Sequence, residues 1–112
     1  MGPVVNEKAV SDHFTAIEKV VSNGGKVLCG GNRFLQSGSF VEPTIIEAKN
    51  EWSIVQKETF TPILYVMKYD DLEDAIRMHN DVPQGLSSSM FTLNIKNAET
   101  FLSAIGLSLI HI

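Results

Sequence analysis

Residues 57–66 read KETFTPILYV. The apolar half, Ile63 onward, predicts a strand running to Lys68 with cover on both faces. Its preface is less ordinary: Glu58 and Phe60 stand two residues apart, ahead of Pro62. In an extended lead-in, positions i and i+2 point to the same side. On composition alone, the glutamate reads as a solvated loop residue and the phenylalanine as core. At that level the chain is a soluble α/β piece and nothing more.

Toward the C-terminus, Asp71 predicts an N-cap for a helix of Leu72 to Asn80, with Asp74 answering in the manner of a capping box. Leu72, Ala75, Ile76 and His79 share its inner face. Residues 82–85, Val-Pro-Gln-Gly, make a turn, and Leu86 to Thr92 reads as a further strand. Residues 63–92 are therefore expected to be a strand–helix–strand unit with a parallel pair and a right-handed crossover. Asn94 opens a last helix with Ile95, Ala98, Leu102 and Ile105 inward.

Toward the N-terminus, Val10, Phe14, Ile17 and Val21 form an apolar stripe on a helix of Glu7 to Ser22. Asn6 is its N-cap, Glu7 sits in its positive first turn, and Asn23-Gly24-Gly25 stops it. Lys26 to Cys29 is a short strand. Phe40 to Ile46 is extended, and Pro43 marks it as an edge strand or an interrupted one. Trp52 to Gln56 fits a short helical turn. The order of elements makes the fold class α/β.

The chain has 112 residues, which sets a ceiling of one domain. Net charge is −4 and the nine basic residues are scattered, which argues against a nucleic-acid surface. No stretch approaches the roughly 18 apolar residues of a membrane span, and no secretory signal opens the chain. Cys29 is the lone cysteine, so no intramolecular disulfide forms. This fits a reducing compartment, and a cytoplasmic location is the expectation.

Other chemistry is poorly served. His13, His79 and His111 stand far apart with no second ligand at helical spacing, so no metal site is expected and they read as isolated or packed. Gly85-Leu86-Ser87-Ser88-Ser89 lacks the second glycine of a G-x-S-x-G elbow. Cys29 has no recognisable base beside it and reads as structural. Gly24-Gly25 and Gly30-Gly31 match no phosphate-cradling pattern.

At residues 56–66, QKETFTPILYV resembles the K-E-E-x-F-G-P motif of the aldehyde dehydrogenases. Four further matches fall in order around it. MGPVVNEKAV resembles the segment that follows the family's catalytic cysteine loop. GGKVLCGG resembles the strand after the next helix, and FVEPTII the family's x-x-P-T-[IV] strand. NDVPQGLSSSMFT resembles its N-x-x-x-x-G-L-[SA]-[SA]-x-[VI]-F-[TS] stretch. The five cover residues 2–106, and T-F-T-P-I-L-Y-V with Q-G-L-S-S-S leans toward the antiquitin-like, α-aminoadipic semialdehyde dehydrogenase branch. Where the family usually has glycine before the proline, this chain has Thr61, which that branch tolerates.

The resemblance implies a part of the family's three-layer catalytic domain. It also implies oxidation of an aldehyde, in which a cysteine thiolate attacks the carbonyl, hydride passes to NAD or NADP, and a glutamate-activated water hydrolyses the thioester. By motif, Glu58 matches the glutamate that accepts hydrogen bonds from the nicotinamide ribose hydroxyls. Phe60 matches the aromatic beside that ribose, and Pro62 stiffens the turn presenting both. These are the expected cofactor-binding residues. No catalytic residue is expected in the chain, because the family's cysteine loop, general base and dinucleotide-binding domain would lie before Met1. Cys29 aligns with a structural strand. The isolated chain is thus expected to be inactive, and the parent to be a homo-oligomer acting on an aldehyde. Residues 107–112, LSLIHI, match in frame the translation of a transposase sequencing adapter, so they are expected to be a non-native tail after a partial catalytic domain at 1–106. The competing reading is a stand-alone, non-catalytic α/β interaction module.

Overall fold

A computed structural model describes residues 1–34, 38–85 and 87–103. The chain divides into two compact units, Met1–Met67 and the residues from Lys68 on.

The first unit begins with helix α1, Glu7–Ser22. Asn6 caps it, its side-chain oxygen accepting from the Ala9 N–H at 2.9 Å. The strands that follow are β1 (Lys26–Cys29), β2 (Thr44–Glu47) and β3 (Ile63–Val66), in the order β1-β2-β3. β1 runs antiparallel to β2, with Val27 opposite Ile46 and an irregularity between Val27 and Cys29. β2 runs parallel to β3, from Thr44 opposite Ile63 to Glu47 opposite Val66. Parallel strands need a long crossover. Residues 48–62 supply it through the expected helical turn, in which the Gln56 N–H donates to Trp52 O at 3.1 Å.

The core of this unit joins Ile17 and Val20 of α1 to Ile46 of β2 and to Ala48. Phe14, Trp52, Ile54 and Tyr65 pack around it. The buried face of α1 is Val10, His13, Ala16, Ile17 and Val20. Val21, expected inward, is half exposed, because the spacing 10–13–17–20 follows the helical turn better than a stripe ending at 21.

Two strand expectations change. β2 begins directly after Pro43, so the proline interrupts an extended stretch rather than marking an edge, and Thr44–Glu47 becomes the central strand. β3 ends at Val66 and is itself an edge, with Leu64 59% exposed, so it is not covered on both faces.

The second unit holds helices α2 (Leu72–Asn80) and α3 (Ile95–Leu102). Asp71 caps α2 by accepting from the Asp74 N–H at 2.8 Å. The reciprocal half of the capping box is absent, because the Asp74 carboxylate is engaged by Arg77 instead. Asn94 caps α3, accepting from the Lys96 N–H at 3.0 Å. Among the described residues 87–92 there is no strand, so the strand–helix–strand unit expected over 63–92 is not formed. A strand exists through its ladder, and the parallel partner of β3 is β2 instead. Ile95 and Leu102, expected inward, are mainly exposed, while Ile105 lies outside the described residues. So do residues 107–112. The α/β fold class stands, carried by the first unit's sheet and the helices of both.

Candidate functional site

Glu58 and Phe60 sit in the arm that leads from the Trp52–Gln56 turn into β3. Both side chains are exposed, Phe60 at 83%. The arm is not the extended lead-in that the sequence suggested. Phe60 has φ 55°, the one non-glycine residue with positive φ among those described. A bulky side chain in the left-handed region is strained and uncommon. It needs surroundings that hold it there. The turn that follows supplies one restraint: the Ile63 N–H donates to Thr61 O at 2.7 Å across Pro62, whose fixed φ suits the centre of such a turn.

The bend leaves Glu58 and Phe60 lining two grooves at once. One, of about 430 Å³, lies between the arm and the outer flank of α1, where Ala9, Asp12 and Ala16 face them. The other, more open, lies between the arm and the N-terminal segment Met1–Val4. Thr61 and Tyr65 line the second groove, and each has a buried hydroxyl without a hydrogen-bond partner. Burial raises the Tyr65 phenol above its usual pKa.

The α1 end of the first groove is tied down by charge. The Glu7 carboxylate accepts from Ser39 Oγ at 3.0 Å and from Arg33 at 2.8 Å. Those two contacts, the serine's first, hold its carboxyl below the usual range. The Val4 N–H donates to Ser39 O at 2.8 Å, so the segment entering α1 is fixed from the same side.

Beneath the arm lies a polar node that the sequence reading did not single out. His13 and Thr44 are both fully buried. Thr44 Oγ1 stands 3.4 Å from His13 Nε2 and receives the Gly31 N–H at 2.9 Å. The His13 ring meets Phe14 edge-on at 5.2 Å, and burial alone lowers its pKa. The available signal was His13 standing in register with Val10, Ile17 and Val20.

Cys29 is exposed on β1, away from the arm in sequence and outside the residues lining either groove. Among the described residues, no three His, Cys, Asp or Glu side chains gather where they would hold a metal ion. No described helix is long and apolar enough to cross a membrane.

A carboxylate and an aromatic ring are thus displayed together at the mouth of a groove. The aldehyde dehydrogenase family model matches residues 1–112, and the chain belongs to that family. It is 47% identical over 92 residues to aldehyde dehydrogenase family 7 member A1 of Pisum sativum, a match covering 82% of this chain and 18% of that protein. It is 43% identical over 106 residues to alpha-aminoadipic semialdehyde dehydrogenase of Mus musculus, covering 94% and 20%. The chain thus spans about a fifth of the length of these curated relatives. Among solved structures, indole-3-acetaldehyde dehydrogenase complexed with NAD⁺ superposes with a TM-score of 0.89 at 31% identity, covering 96% of this chain and 22% of that one.

Proposed function

We propose that the whole protein oxidises an aldehyde to a carboxylic acid with NAD or NADP, and that this chain supplies the arm that grips the cofactor's nicotinamide ribose. The observation carrying this reading is the joint display of Glu58 and Phe60 on a strained turn facing a groove. An ionised carboxylate is acceptor-only, and its two oxygens suit a vicinal diol. The exposed Phe60 ring offers a flat apolar face beside it. The groove along α1 has room for a ribose-sized group. When bound, the dinucleotide would accept hydride from the substrate carbon; the chain's contribution is to orient its ribose and limit the ring's movement. Holding a reactant in register is worth much of a barrier, so small displacements of this arm are expensive in rate.

Identity to the family 7 proteins supports a semialdehyde substrate such as α-aminoadipic semialdehyde. The chain alone is proposed to be inactive, since Cys29 has no base arranged beside it. Phe91, Leu93, Ile95 and Leu102, all strongly exposed, are read as contact surface for the rest of the polypeptide rather than as a stand-alone interaction module.

The test is Glu58→Gln in the full-length protein. Loss of a charge-assisted hydrogen bond pair should slow single-turnover hydride transfer about ten- to hundredfold, with little change in aldehyde binding. An unchanged single-turnover rate would reject the cofactor role.

A further inference from the structure

Thr44 is bonded to the foot of the arm and to α1, the two elements that face each other across the first groove. Its backbone N–H donates to Pro62 O at 2.9 Å, at the foot of the arm. Its hydroxyl reaches His13 on α1, and the same helix presents Ala9, Asp12 and Ala16 to the arm across the groove. One buried residue therefore links the two sides.

The hydrogen-bond inventory fixes how the link is made. A threonine hydroxyl has one proton and two lone pairs. The proton goes to Glu42 O at 2.9 Å, since a carbonyl only accepts. One lone pair takes the Gly31 N–H. What remains is a lone pair, so His13 Nε2 must donate to it. His13 is then the neutral Nε2–H tautomer, with Nδ1 bare. Nδ1 is buried and has no partner, which suits an unprotonated nitrogen better than an N–H.

We propose that the His13–Thr44 pair is a positioning linkage: it sets the separation between α1 and the Glu58–Phe60 arm, and thereby the seat of the cofactor ribose. The linkage stands on geometry; its consequence for the cofactor rests on the function proposed above. Neither residue touches the ligand, and both act through the arm.

NMR on this chain tests the linkage independently of any activity. His13 Nε2 is expected to carry the proton and Nδ1 to give the downfield ¹⁵N signal of a bare ring nitrogen. Thr44→Val, which keeps shape and removes the hydroxyl, should move the Glu58 and Phe60 amide resonances, and Thr44→Ser should return them. If Thr44→Val does not fold, His13→Leu against His13→Gln, whose amide retains a donor, makes the same comparison. In the full-length protein, Thr44→Val should raise the KM for the dinucleotide about tenfold while leaving that for the aldehyde within about twofold, and Thr44→Ser should restore it. A His13 protonated at Nδ1, or a folded Thr44→Val with unmoved arm resonances, overturns the linkage. Moved resonances with an unchanged dinucleotide KM overturn the positioning role. Failure of the cofactor reading itself shows separately, as an unaffected Glu58→Gln enzyme.

Discussion

Residues 1–67 and residues 68–103 are written in the same idiom and come out differently. Each unit has helices with Asn or Asp caps that work: Asn6, Asp71 and Asn94 all accept from the first turn they precede. Each helix has an apolar stripe. Yet α1 buries five side chains, α2 buries Ile76, and α3 buries none. Capping is satisfied within one turn, so it forms wherever the residues are right. Burial needs a second surface, and among the described residues only the first unit brings a sheet to its helix. The lesson is that periodicity names the face to be covered, while topology decides whether anything covers it.

The widest separation between the two units should appear on truncating comparable apolar residues. Ile46 is completely buried in the first core, so Ile46→Ala should cost about 2–5 kcal/mol through lost transfer energy and the cavity left behind. Leu102 is 71% exposed, so Leu102→Ala should stay within about 0.5 kcal/mol. Urea titrations of the chain give both numbers. Similar losses at the two sites would break the comparison, because they would mean that α3 packs as tightly as the core of the first unit.

Glycines sharpen it next. Gly30 has φ 76°, and a Cβ there would stand 2.1 Å from Pro43 O, where β1 ends against the start of β2. Gly30→Ala should cost about 3 kcal/mol from strain and collision together. At Gly85 in the second unit, an added Cβ meets nothing within 4 Å. Gly85→Ala should leave stability unchanged or raise it by about 0.5 kcal/mol through the unfolded chain. The same urea titrations decide; a large loss at Gly85 would show a close approach of backbone there.

A third contrast comes from pH. Burial lowers the His13 pKa from its ordinary value of 6.5, so the unfolded chain takes up a proton on acidification before the folded one does. Below that unfolded value the unfolded state binds more protons, and stability falls as pH falls. Above it His13 is neutral in both states and contributes no slope. The Glu7 carboxyl, lowered by Ser39 and then Arg33, acts in a separate window: its contribution is present above 4.5 and is lost as pH falls through its lower, folded value. Stability measured from pH 7.5 to 5.5 should therefore decline, and His13→Gln should flatten the decline. A flat wild-type profile over that range would mean that His13 is not held neutral.

Much of the fold was legible because its signals are local. The bounds of α1, the strand at Lys26–Cys29, and the caps at Asn6, Asp71 and Asn94 follow from residues within a turn of each feature. The sheet was not, because ladders join distant residues. The apolar run from Ile63 read as a strand covered on both faces, but Thr44–Glu47 takes the centre, with β1 on one side and β3 on the other. Ser87 to Thr92 has a strand-like sequence and no ladder. Glu58 and Phe60 were found through motif and not through local physics, which would have left one as loop and the other as core. The left-handed backbone at Phe60 was invisible, since nothing in Thr59-Phe60-Thr61 favours φ above zero. His13 was set aside as packed, which it is; its tie to Thr44 depends on bringing residues 31 positions apart into contact.

Phe60 is an exposed aromatic inside the well-packed unit, and it gives a small effect on stability with the opposite sign. Its ring is 83% exposed, so little burial is lost when it is removed. Its backbone is held at φ 55°, where asparagine is far more at ease than phenylalanine. Phe60→Asn should therefore stabilise the chain by about 0.5 kcal/mol, while on the cofactor role proposed above it should weaken dinucleotide binding by the full-length protein. Phe91 is the matched control: it is 97% exposed but has no positive φ to relieve, so Phe91→Asn should bring no such gain. Thermal melts of the two variants separate strain from exposure. If Phe60→Asn destabilises by more than about 1 kcal/mol, the ring is packing against the arm rather than being presented from it. The place of Phe60 would then be explained by packing and not by a ligand.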